Sequence, residues 1–118
     1  MKPSEIYYSQ DSIRDKFDKK YTIQATYNVL VRQPGVMQRI PRIRVCLKDG
    51  KWFTLDNRRL WVFRKLEENG YIRDINVIHV GRDKLQDSKF TTTNGGKDVI
   101  VRPTKTFSIN DFFDSDSN

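Results

Sequence analysis

Hydrophobic positions change period along this chain, and each change marks an element. Ile23, Tyr27, Leu30 and Val31 recur at i, i+4, i+7 and i+8 within residues 21–31, the single apolar stripe of an amphipathic helix. Pro34-Gly35 ends it. In residues 43–55 the period drops to two. Ile43, Val45 and Leu47 alternate with Arg44, Cys46 and Lys48, then Asp49-Gly50 supplies the positive dihedrals of a tight primed turn, and Lys51-Trp52-Phe53-Thr54-Leu55 returns as the second strand of a hairpin. Asp56 or Asn57 caps a helix over residues 58–69, with Gly70 suited to its C′ position. On that helix Leu60, Val62, Phe63 and Leu66 share one apolar arc. Arg58, Trp61 and Lys65 cluster on the other side at spacings of three and four.

The remaining elements are read from weaker signals. Residues 5–9 (Glu5-Ile6-Tyr7-Tyr8-Ser9) predict a short strand, and Asp11 or Ser12 then caps a short helical turn containing Ile13 and Phe17. Residues 75–80 predict a strand buried on both faces. Residues 81–97 are polar, and the run Thr91-Thr92-Thr93-Asn94-Gly95-Gly96 has the composition of a mobile loop. Residues 98–102 predict a last strand closed by Pro103. No repeat and no linker interrupts the series, so the element order predicts one α+β domain over residues 1–107. Residues 108–118 form an acidic, aromatic tail carrying Phe112 and Phe113, either flexible or docking a partner.

Composition narrows the class. A chain of 118 residues matches one domain, and 36% hydrophobic with 12% aromatic content is too much for a wholly disordered chain. No stretch approaches the roughly 18 apolar residues of a membrane span, and Met1-Lys2-Pro3-Ser4-Glu5 lacks the apolar core of a signal peptide. Cys46 is alone, which excludes an internal disulfide and a cysteine-rich zinc site. A soluble, intracellular protein is the expectation. The net charge is +7, and because Asp111, Asp114 and Asp116 sit in a tail without Lys or Arg, the preceding 110 residues carry +10. Such a body attracts nucleic acid through counterion release.

Candidate chemistry gathers where the hairpin meets the second helix. A helix N-terminus presents free amide donors and favours anions, and Arg58-Arg59 adds two fork-shaped donors matched to phosphate. Arg59 falls at the rim of the apolar arc, where its charge needs either a ligand or a pairing with Asp11, Asp15 or Asp56. Lys65 extends this centre, and a second basic cluster comprises Arg39, Arg42, Arg44, Lys48 and Lys51, able to contact backbone phosphates without reading sequence. Trp61 is placed to stack on a base, dock a partner or cover a second layer of core. Catalytic signals are poor. His79 reads as a buried or hydrogen-bonded strand histidine, Cys46 as a buried thiol, and Asp11, Asp15 and Asp18 as a solvated helical face rather than a metal site. Neither a Walker loop nor a strand-linked Gly-x-Gly-x-x-Gly motif appears. No catalytic residue, metal or cofactor is expected.

The junction itself, Asp49-Gly50-Lys51-Trp52-Phe53-Thr54-Leu55 followed by Asp56-Asn57-Arg58-Arg59-Leu60-Trp61, resembles the ParB/sulfiredoxin superfamily. In that family a strand leads into a Gly-Glu-Arg-Arg or Gly-Cys-His-Arg turn whose helix N-terminus holds nucleotide phosphates. The likeness spans roughly residues 5–80. It implies a compact ParB/sulfiredoxin-like fold, a mixed sheet with a hairpin leading into a helix, and Arg58 and Arg59 as phosphate ligands. Asp56 stands at the family's Gly and Asn57 at the Glu of the partition proteins, and no Cys lies in the turn. Sulfiredoxin chemistry is therefore not implied. Within the superfamily, Gln10-Asp11-Ser12-Ile13 and residues 55–61 resemble the small accessory subunits of ciliate DNA N6-adenine methyltransferase complexes. That branch implies a nuclear, non-catalytic DNA-binding subunit partnered by a methyltransferase heterodimer and a homeobox-like subunit. Toxin-associated ParB-like domains share a similar box, and the family likeness implies a nucleotide-binding or nucleotide-hydrolysing enzyme as the alternative.

Overall fold

In a computed structural model, which describes residues 1–17 and 21–103, the chain forms two helices against a mixed sheet. Its strands are β1 (Ile6–Tyr7), β2 (Ser12–Arg14), β3 (Ile43–Lys48), β4 (Lys51–Thr54), β5 (Val77–His79) and β6 (Ile100–Arg102). The helices are α1 (Ile23–Arg32) and α2 (Asn57–Glu68). The main sheet has the order β1-β4-β3-β5, with β1 parallel to β4, β4 antiparallel to β3, and β3 parallel to β5. A separate two-stranded parallel sheet pairs β2 with β6. The architecture is α+β.

The strongest sequence signals correspond to observed elements. In α1 the stripe turns inward, burying Ile23 and Leu30 with Tyr27 and Val31 packed beside them, and the hydroxyl of Thr22 caps it by accepting from the Ala25 amide at 2.9 Å. The hairpin turn is the primed type: Asp49 and Gly50 have φ of 53° and 76°, and Lys48 pairs with Lys51. The apolar arc of α2 packs Leu60, Val62, Phe63 and Leu66 against Ile6, Ile43 and Val45 of the sheet. The helix closes with the Gly70 amide donating to Glu67 O and the Tyr71 amide to Leu66 O, the two bonds of a Schellman stop.

Two expectations fail, and the packing of a third segment was not expected. Ser12 and Ile13 do not open a helical turn. They lie in β2, in register with Ile100 and Val101 of β6, and this pairing buries Ile13. The predicted strand at 75–80 shrinks to β5, an edge strand with Ile78 46% exposed, so it is not buried on both faces. The segment 81–97 is the turn-rich connection its composition predicts, with two short 3-10 turns, Arg82–Lys84 and Asp87–Lys89, and it packs on the body. It covers the sheet face opposite the helices, where Leu85 and Phe90 pack on Cys46 and Phe53. Thr91 and Thr92 amides donate to Ser9 O, and Tyr8 N donates to Gly96 O at 2.8 Å. Gly96 has φ of 81°, and a Cβ there would collide with Tyr8 O and lie 2.9 Å from the Cβ of Tyr7. Only glycine fits. Arg64 fastens the same corner, donating to the carbonyls of Pro3, Ile6 and Lys97 with its guanidinium 4.5 Å over the Tyr8 ring.

Candidate anion-binding cleft

The N-terminus of α2 opens onto a cleft of about 360 Å³. Five guanidinium groups line it, from Arg14, Arg44, Arg58, Arg59 and Arg102, against one carboxylate, Asp56. Each arrives from a different constraint. Arg58 and Arg59 start α2. Arg44 is the second residue of β3, beside the end of β4. Arg14 and Arg102 are brought opposite one another by the parallel register of β2 and β6. Like charges facing across a ladder are unfavourable, and a bound anion would relieve that cost.

Asp56 organises the inner half of the cleft. It occupies the cap position of α2 but makes no side-chain cap. Thr54 Oγ1 accepts from the Asp56 amide at 2.9 Å, and the carboxylate turns toward β3. There it accepts from the Arg44 amide at 2.7 Å, from Arg44 Nε and Nη2 at 3.1 and 2.8 Å, and from Arg59 Nη2 at 3.0 Å. Its side chain is 7% exposed. Burial alone would raise the carboxyl pKa, but the hydrogen bonds from Arg44 and the charge of Arg59 outweigh it and hold the group below the usual carboxylate range. The same hydrogen bonds push the Arg44 guanidinium up.

The remaining donors divide by availability. Arg59 Nη1 is taken by the carbonyls of Pro41 and Arg42 at 2.8 and 3.0 Å. Of the alternatives open to it, pairing with Asp56 is the one observed. Arg58 Nη1 donates to Lys16 O and Phe17 O, with its guanidinium 5.8 Å over the Phe17 ring. These carbonyls fix its place without neutralising its charge. Arg14 and Arg102 are exposed, and among the described residues no carboxylate pairs with either. Beneath them Asn57, the first helical residue, is buried: its Oδ1 accepts from the Ser9 amide at 2.9 Å and its Nδ2 donates to Ser9 Oγ at 3.0 Å. This clamp holds the Ser9-Gln10 turn against the cleft.

Other nominated residues lie elsewhere. Lys65 sits outside the cleft with Nζ 5.0 Å over the ring of half-buried Trp61, in a shallow recess shared with Tyr8, Glu68 and Asp98. Arg42 borders a different recess beside Asp74 and Asn76. Lys48 and Lys51 flank the hairpin turn, roughly 13 Å along the strand from Arg44 at ordinary rise. There Lys48 pairs with Asp49 at 2.9 Å, above Phe90, and Lys51 lies over the Tyr7 ring. Phe112 and Phe113 fall outside the described residues. His79 lies on the edge strand, exposed and stacked on Trp52 at 4.8 Å, so of the buried or hydrogen-bonded strand histidine expected the burial is not found. Cys46 is buried, and burial pushes its thiol up. The proposed helical face of Asp11, Asp15 and Asp18 does not form, since Ser12–Arg14 is a strand and Asp18 lies outside the described residues.

The sequence reading missed Arg14, Arg102 and the clamp at Asn57. The only available signal for the first two was their exposure on short alternating segments, which does not reveal pairing across 88 residues. Among the described residues no group of three His, Cys, Asp or Glu is placed to hold a metal, and no helix is long and apolar enough to cross a membrane. No protein-family model, curated protein or solved structure matches the chain.

Proposed function

We propose that this chain is a non-catalytic nucleic-acid-binding module that seats a backbone phosphate in the arginine cleft, as an accessory subunit of a DNA N6-adenine methyltransferase complex. The observation that carries the binding is that five arginines and a single carboxylate line one cleft at the start of a helix. Asp56 is shared by Arg44 and Arg59 and offsets one charge of the five, while Arg14, Arg58 and Arg102 have no carboxylate partner among the described residues. Planar forks at a helix N-terminus suit phosphate oxygens. The basic body supplies long-range attraction, and Lys48 and Lys51 extend the track along the sheet. The methyltransferase partners, the homeobox-like subunit and the nuclear location rest on the sequence resemblance, with Trp61 as the candidate docking residue.

Fluorescence anisotropy with duplex DNA across a salt series tests this reading. Three phosphate contacts predict a log–log slope of about −3. The Arg58→Ala/Arg59→Ala variant should bind markedly more weakly; salt-indifferent binding, or no loss in the variant, would overturn it. Co-purification from the native source tests the assembly.

The concave shape favours a second reading. A cleft of about 360 Å³ lies within the range of about 300–1,000 Å³ used by small ligands, so CTP or ATP is the alternative occupant, as in a nucleotide-hydrolysing or toxin-associated ParB-like domain. Calorimetry with each nucleotide and magnesium, followed by a phosphate-release assay, decides between them: absence of heat and turnover removes it.

A further inference from the structure

A second recess, of about 290 Å³, opens beside the cleft. Ile40, Pro41, Val62 and Phe63 make it apolar, while Phe17 and Arg59 belong to both hollows. The two are therefore neighbouring halves of one surface, one cationic and one greasy.

We propose that residues 108–118 of the same chain dock on this surface, with Phe112-Phe113 in the apolar recess and Asp111, Asp114 and Asp116 toward the arginines, so that the tail competes with the phosphate ligand. The proposal rests on the reading of the cleft as an anion receptor. Placement supports it first: β6 ends at Arg102, a wall of the cleft, so the chain departs from the cleft's own rim at Pro103. Reach supports it next. The nine steps from Pro103 to Phe112 span up to about 30 Å extended, against about 18 Å for the whole of α2. Charge supports it third, since residues 108–118 contain three Asp and no Lys or Arg, facing five arginines that one carboxylate only partly offsets. Aromatic residues flanked by acids match a recess with apolar walls and a cationic border.

The test uses the full chain and a fluorescent 20-base-pair duplex. A tail seated nine-tenths of the time lowers apparent affinity about tenfold, so Phe112→Ser/Phe113→Ser should tighten binding by about that factor. This variant leaves net charge unchanged, which separates it from Asp111→Asn/Asp114→Asn/Asp116→Asn, where added positive charge alone would strengthen binding. In the DNA-free protein, the amide resonances of Arg59, Val62 and Phe63 should shift between wild type and the Phe variant. Unchanged affinity together with unmoved amides, while the duplex still binds, overturns the docking and leaves the phosphate reading intact. Moved amides without duplex binding by any variant support the docking and defeat the nucleic-acid reading. Amide shifts that depend on protein concentration would place the tail on a second copy and overturn the intramolecular proposal.

Discussion

Asp56 governs how much of the cleft's charge is available to a ligand, because it already acts as an internal anion for Arg44 and Arg59. Asp56→Asn removes that charge while keeping the shape. Arg44 is half exposed, so solvent screens the pair, and the expected loss of stability is about 1–2 kcal/mol. Phosphate or duplex affinity should rise at the same time, and opposite signs in denaturation and binding are what a merely structural role would not produce. The pH dependence follows from the depressed carboxyl pKa. Its contribution is present above the ordinary carboxylate pKa and is lost as pH falls through that value toward the lower folded one. Urea denaturation on the acid side should show this loss in the wild type and a flatter profile in Asp56→Asn. Gly96→Ala addresses a different residue-scale constraint. Positive φ and the backbone of Tyr8 leave no room for a methyl group, so a destabilisation of about 1–3 kcal/mol is expected by thermal or urea denaturation.

At the scale of elements, local chemistry made some features readable and others not. The hairpin was legible because Asp49-Gly50 states its own backbone conformation, and both helices because their apolar stripes repeat within one element. The pairing of β2 with β6 was not, since neither segment specifies a partner and each is only three residues long. That pairing adds two arginines to the cleft. Arg14→Ala/Arg102→Ala should therefore reduce the salt slope of duplex binding by about two while leaving the α2 core packed, measured by anisotropy alongside circular dichroism. A slope equal to the wild type's would remove β2 and β6 from the interface.

Across the molecule, two of the basic groups among the described residues lie at opposite ends of the hairpin, the arginine cleft and the lysine pair at the turn. The lysines already lie against Asp49 and aromatic rings, whereas the cleft holds cations in excess. Lys48→Ala/Lys51→Ala should therefore cost less duplex affinity than Arg58→Ala/Arg59→Ala, and the reverse order would relocate the principal contact to the hairpin tip. By itself the sequence determined the helices, the hairpin and the doubled arginine at a helix start, because turn dihedrals, apolar periodicity and charge are properties of neighbouring residues. Only the tertiary structure decided that Arg44 and Arg59 share Asp56, that Arg14 and Arg102 complete the cleft, and that residues 81–97 cover the back of the sheet. Those outcomes depend on which distant segments bury each other's backbone and apolar surface, and no stretch of chain encodes its partner alone.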